Sequence, residues 1–444
     1  MSGFISTDRR QSWGRVTRPT QKVAKPHFPD EVPPLVGEAV RGSTPLLAVG
    51  LMRSYGDSNL NPGGAVVDMT ALDRIHAFDP RSGVLRADAG LSLDALIRTT
   101  LPHRLFPAVV PGTRFVTLGG AVGNDVHGKN HHRSGSFGNH VRKLGLRRSD
   151  GSLHELGPDD STGLFAATIG GLGLTGLVEW VELELTRIDG SSIDGETVPF
   201  HSLEEFFALS DESIASHEFT VSWIDCTRVE GTAMRGLFSR GNWSRDPARL
   251  PHPAKPKAGI PIEFPSFALN PLSLRLFNDL YFRLGRWRAG RSLTHYAPFF
   301  FPLDSIMNWN RLYGRPGMYQ YQCVVPPTDS LPVIAELLQT IAASGEGSFL
   351  AVLKTFGDRA SPGMLSFPRE GTTLALDFRN RGTETLALMA RLDEIVLAAG
   401  GRLYPAKDGR MSARLFQNGY PRLAEFTPHV DPHFSSAFWR RVAP

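Results

Sequence analysis

The stretch Asp125-Val126-His127-Gly128-Lys129-Asn130-His131-His132 closes a Gly-rich segment that begins at Pro111-Gly112-Thr113 and passes through Gly119-Gly120-Ala121. Glycine lets main chain come close to a bulky neighbour, while His, Lys and Asn offer that neighbour charge and hydrogen-bond partners. Upstream, Arg53-Ser54-Tyr55-Gly56-Asp57 follows an apolar run, Leu46-Leu47-Ala48-Val49, that reads as a strand. A turn placed there is expected to aim backbone amides outward as a nest for phosphate oxygens. Any one of these segments would be an ordinary turn. Together they predict a main-chain cradle for a phosphorylated dinucleotide.

The cradle is not a Rossmann unit. Gly171-Leu172-Gly173-Leu174-Thr175-Gly176 matches GxGxxG letter for letter, but that fingerprint must follow a strand and open a helix. Here a helical pattern precedes it. Beyond it, Leu177, Val181, Leu183 and Leu185 alternate with Glu179, Glu182 and Glu184 like a half-buried strand. These glycines are expected to shape a turn beside a ligand other than NAD. A metal centre is disfavoured as well. His127, His131 and His132 lack a completing Cys or carboxylate set, and adjacent histidines point apart. His127 is expected to face the ligand, and one of His131 or His132 to be structural.

Composition removes other classes. A chain of 444 residues, 41% hydrophobic and 21% charged, predicts a globular protein of two domains. Its 45 Gly and 33 Pro favour a sheet-rich α+β architecture. With 48 basic against 44 acidic residues the net charge is only +4, which predicts no nucleic-acid partner. Cys226 and Cys323 form no CxxC pair and read as reduced thiols. The polar, Pro-broken run from Met1 to Pro29 carries no signal-peptide pattern, and the apolar run Leu164 to Val178 is short for a bilayer span. The expected location is cytoplasmic.

Short strands with tight turns fill the region from about 35 to 190, among them Ala65–Asp68 and Val84–Asp88. Ser92 then reads as the N-cap of a helix with Leu93, Leu96, Ile97 and Leu101 on one face. From about 195 to 400 the helical stripes lengthen, as in Val333, Ile334, Leu337, Leu338 and Ile341, or Leu388, Leu392, Ile395 and Val396. They alternate with strands at Tyr319–Val325 and Thr373–Phe378, which predicts an antiparallel sheet covered by helices. Residues 245–293 are irregular and Pro-rich. Within them, Leu274 to Arg291 sets Arg275, Arg283, Arg286, Arg288 and Arg291 among Phe277, Tyr281, Phe282 and Trp287. Such a helix lies on an anionic bilayer or forms a lid on the domain below. Lys407, in Tyr404-Pro405-Ala406-Lys407-Asp408, follows a short strand. A functional lysine there would be partly desolvated and aimed at negative charge.

These runs, continued by Ser136-Phe137-Gly138-Asn139-His140-Val141-Arg142, Trp309-Asn310-Arg311 and Tyr319-Gln320-Tyr321-Gln322, resemble FAD-linked oxidases of the vanillyl-alcohol oxidase type. Within that group the resemblance is to the oxidase components of the epimerases that act on decaprenylphosphoryl ribose, and it spans nearly the whole chain. It implies an α+β flavoprotein with a PCMH-type FAD-binding domain over 1–192. An antiparallel-sheet substrate domain covered by helices would span 193–400, and 401–444 would return to the FAD domain. FAD would be lined by Arg53, Ser54, Tyr55, Gly56, Asp57, Pro111, Gly112, Thr113, Gly119, Gly120, Asn124, Asp125, His127, Gly128, Gly173, Gly176, Val178, Tyr404 and Lys407. Arg53 stands where many such proteins attach FAD through a His, so the resemblance implies non-covalent FAD. Tyr313, Gln320, Gln322, Lys354 and Lys129 would bind substrate, and Lys407, Tyr55 and His127 would act in catalysis, Lys407 beside the pyrimidine edge of the isoalloxazine.

The chemistry implied is oxidation of a secondary sugar hydroxyl to a ketone with hydride passing to FAD, on a polyprenylphosphoryl pentose. An NAD(P)H-dependent short-chain reductase partner would complete an epimerisation, with the pair peripheral to the inner face of the membrane. Two departures bear on the substrate. Ala375 stands where relatives in that group carry a Cys, and Asn124 replaces a Cys three residues before the motif His. The alternatives are an oxidase of a soluble polyol or aldonolactone, and a flavin-free scaffold of the same fold.

Overall fold

The computed structural model describes residues 3–247, 251–254, 256, 258–265 and 269–444. Of the segment 245–293 expected to be irregular, residues 248–250, 255, 257 and 266–268 therefore lie outside the described residues, as do residues 1 and 2 at the polar N-terminus. Three sheets organise the described residues.

The first sheet has β1 (Ile5–Thr7), β2 (Gln21–Ala24), β3 (Leu46–Val49) and β4 (Ala65–Asp68) in the order β1-β2-β4-β3. β4 runs parallel to both β2 and β3, so chain must cross over between them. The apolar run at Leu46 and Leu47 forms a strand because β4 and the segment around Phe434 bury it.

The second sheet is antiparallel: β5 (Ile75–Asp79), β6 (Val84–Asp88), β8 (Val141–Arg147), β9 (Leu153–Leu156) and β10 (Leu177–Arg187), with β7 (Leu105–Pro107) paired to the far end of β10. Val181, Leu183 and Leu185 of β10 point into a core shared with Leu93, Leu96 and Ile97. Those three lie on the helix Leu93–Thr100, whose N-cap Ser92 accepts from the amide of Ala95 at 3.1 Å. The GxGxxG segment sits between the short helix Leu164–Thr168 and β10, so its glycines turn the chain from helix to strand.

The third sheet has eight antiparallel strands, from β11 (Ser192–Ser202), β12 (Phe219–Ile224), β13 (Ala233–Trp243) and β14 (Gly290–His295) to β15 (Met318–Val325), β16 (Val352–Phe356), β17 (Gly371–Arg379) and β18 (Arg402–Leu403). Its order is β14-β11-β13-β12-β16-β17-β15-β18. Alternation along the strands divides its side chains between two faces. Tyr321, Cys323, Leu353, Leu374 and Leu376 pack under the helices Leu203–Ile214, Ser330–Ala343 and Thr383–Ala398. Gln320, Gln322, Lys354, Thr373, Ala375 and Asp377 look the other way, into a cavity. After β18 the chain returns to the first sheet, where the Leu46 amide donates to His433 and that of Ala437 to Leu60.

The helix expected over 274–291 spans Pro271–Trp287. Asn270 caps it through the amides of Leu272 and Ser273, and Pro271 fits the first helical position. It ends early because Gly290 takes φ +107° and turns the chain so that Arg291 joins β14.

Candidate active site

A cavity of about 1470 Å³ lies between the Gly-rich turns and the inner face of the large sheet. Its size exceeds that of a drug-sized pocket, roughly 300–1,000 Å³, and leaves room for a dinucleotide together with a second reactant. Of the residues expected at FAD, Arg53, Ser54, Tyr55, Pro111, Gly112, Thr113, Gly119, Gly120, Asn124, His127, Gly128, Gly173, Gly176, Val178, Tyr404 and Lys407 border it. Gln320, Gln322, Lys354 and Lys129 border it too.

Four expected residues do not. Gly56 packs against Asp408 so closely that a Cβ would overlap the Asp408 carbonyl oxygen. Asp57 pairs with Arg441 at 2.6 Å. The Tyr55 amide donates to the Ala406 carbonyl, so that amide of the 53–57 turn is tied to the C-terminal segment and is not free for phosphate. Asp125 is a buried pin that accepts from the Gly138 amide at 2.7 Å and from Ser366 Oγ at 2.5 Å. Tyr313 lies behind the wall, stacked on Phe349.

At the end of the cavity beneath β15 and β17, charges gather. Gln320 Nε2 donates to Asp377 Oδ1 at 2.6 Å, and Asp377 Oδ2 is buried without a partner. Burial raises the Asp377 carboxyl to about 7, against the opposing pull of the Gln320 hydrogen bond and the Lys407 charge. Burial likewise lowers Lys407 to about 8, with Asp377 holding it up. Lys407 Nζ lies over the Tyr55 ring. Burial, reinforced by Asp377, lifts the Tyr55 phenol well above its ordinary value, so it keeps its proton at neutral pH.

His127 is neutral, because burial and then the charge of Lys354 push its pKa well down. The Gln322 amide nitrogen donates to its Nε2 at 3.1 Å, which leaves Nδ1 to carry the proton; that atom is buried and unpartnered. His132 is bonded to the His217 carbonyl at 2.9 Å. The His131 ring packs against Phe356 with neither nitrogen hydrogen-bonded, and burial lowers its pKa to about 3.

A family model described as an FAD binding domain matches residues 20–157. A decaprenylphosphoryl-β-D-ribose oxidase of Mycolicibacterium smegmatis is 37% identical over 458 residues, covering 98% of each chain. The chain belongs to that oxidase family. An uncharacterised protein of Streptomyces coelicolor is 34% identical over 79% of this chain and all of its own length. Cytokinin dehydrogenase 10 of Oryza sativa subsp. japonica is 29% identical over 40% of this chain and 34% of its own. The enzyme is an FAD-dependent oxidoreductase of the vanillyl-alcohol oxidase type with a PCMH-type α+β fold, as the sequence motifs implied.

The cavity suits that cofactor. Gly112, exposed where it borders the cavity, meets no protein atom within 4 Å of where its Cβ would stand, so main chain there is open to the cavity. Gly173 and Gly176 take φ of +75° and +143°, which brings bare main chain to the wall.

The enzyme also lines its cavity with residues that motif reading missed, chiefly Asp377, Trp13, Asp304 and Trp223. Asp377 did carry a signal: it is the one charged side chain in the apolar run Leu374-Ala375-Leu376-Asp377-Phe378.

Proposed function

We propose that the enzyme oxidises a secondary hydroxyl of a polyprenylphosphoryl pentose, ribose-like, to a ketone, as the first half of an epimerisation. One observation carries this reading. Along the cavity face of the large sheet, hydrogen-bonding groups at Gln320, Gln322, Thr373 and Asp377 give way to Val352, Val221, Trp223 and Leu237 beneath the helix Pro271–Trp287, with the hydroxyls of Ser239, Thr197 and Thr294 further along. A substrate with a polar head and a long apolar tail matches that gradient, as does the substrate named for the Mycolicibacterium relative.

FAD, once bound, would supply the two-electron acceptor for the hydride of the carbinol carbon. Asp377 is the group fitted to take the hydroxyl proton. The residue borders the cavity, one of its carboxylate oxygens is buried without a partner, and Gln320 fixes its orientation. Tyr55 keeps its own proton, and His127 stands among cations that oppose its protonation. Lys407, protonated at neutral pH, offsets negative charge that builds at the reacting centre. His127 offers its Nδ1 proton to the substrate, steadied by Gln322. FAD is held non-covalently, since Arg53 lies over Trp13 with its guanidinium carbon 4.0 Å from the ring centre and is no nucleophile.

A short-chain NAD(P)H-dependent reductase partner returns hydride to the opposite face of the ketone. Among the described residues no helix is long and apolar enough to cross a membrane. Peripheral contact with the inner leaflet is supported by Leu272, Leu276, Leu280 and Trp287, all exposed on the helix Pro271–Trp287 amid Arg275, Arg283 and Arg286.

Anaerobic mixing with polyprenylphosphoryl ribose tests the reading. Flavin absorbance should bleach with the lipid-linked sugar and stay unchanged with free pentoses and polyols. Bleaching by free sugars alone would overturn it, as would purified protein that takes up no FAD.

A further inference from the structure

Lys129 and Lys354 reach one part of the cavity wall, from the motif loop and from β16. Lys354 Nζ donates to the Gly128 carbonyl at 3.2 Å, and Lys129, the next residue in the chain, donates from its Nζ to the Phe299 carbonyl. Phenyl rings close in on both ammonium groups: Phe299 lies 4.5 Å from Lys129 Nζ and Phe356 5.5 Å from Lys354 Nζ, measured to the ring centres. Among the described residues neither lysine forms an ion pair with a carboxylate. Burial, with the charge of Lys354 added, lowers Lys129 to about 7, and burial alone lowers Lys354 to about 8.

Two enclosed ammonium groups without a counter-charge are costly, because their mutual repulsion and lost hydration go unanswered. Two other sets of charges in this cavity are matched: Asp377 faces Lys407, and Asp304 accepts from the Arg114 amide with the Arg53 charge nearby. Among the described residues the lysine pair has no such anion.

Its place in the fold says which anion fits. β16 lies between β17, which presents Thr373 and Asp377, and β12, which presents Trp223. The ammonium groups therefore stand at the junction of the hydrogen-bonding end and the apolar end.

We infer that Lys129 and Lys354 together grip the phosphodiester that joins sugar to lipid, one ammonium on each non-bridging oxygen. This deepens the reading of the substrate given above and rests on it. Each Nζ has three N–H groups and uses one on a carbonyl, so two remain for phosphate oxygens. The sequence had placed both lysines at the substrate; the fold assigns them to its linker and leaves the pentose to Gln320, Gln322, His127 and Asp377.

The test compares a short-chain prenylphosphoryl ribose with an uncharged prenyl riboside of equal chain length, by anaerobic reduction of the bound flavin. In Lys129→Met and Lys354→Met the ratio of kcat/KM for the charged over the uncharged substrate should fall at least tenfold, mainly through KM. Lys354→Arg should restore most of it. A ratio within twofold of wild type in the double variant, with flavin content intact, overturns the inference.

A second measurement needs no turnover. Octyl phosphate titrated into the FAD-loaded enzyme at pH 8, in two buffers of different ionisation enthalpy, should bind with proton uptake. An anion raises lysine pKa values that burial had lowered. Uptake should fall in Lys129→Met, where Lys354 remains to take up a proton, and fall further in the double variant. Octyl phosphate that binds equally well to the double variant, or no better than octanol to wild type, overturns the inference. Inorganic phosphate run alongside separates recognition of the anion from recognition of the chain. If neither riboside reduces the wild-type flavin while octyl phosphate still shows lysine-dependent uptake, the sugar reading fails and the anion site stands.

Discussion

Lys407 Nζ stands 3.9 Å from the centre of the Tyr55 ring, and the Tyr55 amide donates to the carbonyl of Ala406, the residue before Lys407. A lysine near the C-terminus is thus fixed by a turn near the N-terminus, and its charge reaches Asp377 on β17.

That arrangement predicts a bell-shaped pH profile. Asp377 must be ionised to accept a proton, so the rate of flavin reduction should fall as pH drops through about 7. Lys407 must be protonated, so the rate should fall again above about 8. The two limbs belong to the pair as a unit. Asp377→Asn should abolish the acidic limb and slow the step by about 10²–10⁴-fold. Lys407→Met should remove the alkaline limb and move the acidic limb to higher pH, because the lysine charge holds the Asp377 pKa down. Stopped-flow pH profiles check each shift.

Two glycines should respond in opposite ways to a methyl group. In Gly56→Ala the Cβ collides with the Asp408 carbonyl, so the two segments must part. A loss of about 1–3 kcal/mol in stability is expected, with Lys407 displaced. In Gly112→Ala the Cβ meets open space on the protein side, so the melting temperature should hold while FAD affinity drops at least tenfold. Thermal unfolding and flavin titration tell the two apart.

Thiol reagents should leave the enzyme untouched. Cys226 and Cys323 are fully buried, and burial pushes both thiols up to about 12, so neither offers thiolate at neutral pH. Ala375 faces the cavity from β17. Ala375→Cys should render flavin reduction sensitive to iodoacetamide, with protection by substrate.

Cosedimentation with anionic vesicles should depend on the outer face of the helix Pro271–Trp287, where Leu272 is 77% and Trp287 79% exposed. Replacing Leu280 and Trp287 together by Ser should weaken partitioning more than tenfold, since each apolar side chain buried is worth about 1.5–3 kcal/mol. Raising salt should weaken it further by screening the arginines.

The strands were legible where an apolar run ended at Gly or Pro, as at Leu46–Val49 and Val84–Asp88, since short-range pattern suffices there. The cavity-lining glycines were legible for a similar reason: Gly112, Gly119, Gly120 and Gly128 border the cavity and cluster along the chain. Gly56 and Asp57 were misjudged because their partners, Asp408 and Arg441, come from the far end of the sequence. In the sequence Asp377 is marked only as a lone charge in an apolar run, because its partner is distant. Gln320 stands opposite it in the β15–β17 register, and their separation of 57 residues hides the pair from any local reading.

The few residues after β18 are stitched to both halves of the molecule. The Tyr404 amide bonds Gln322 on the large sheet, its hydroxyl bonds the Asn124 carbonyl in the cradle, and Ala406 receives Tyr55. Such double suturing holds the Gly-rich turns against the inner face of the large sheet, so the width of the chamber is set before any reactant arrives. On the function proposed above, traffic into and out of that chamber is expected past the helix Pro271–Trp287, whose Leu274, Phe277 and Tyr281 line it.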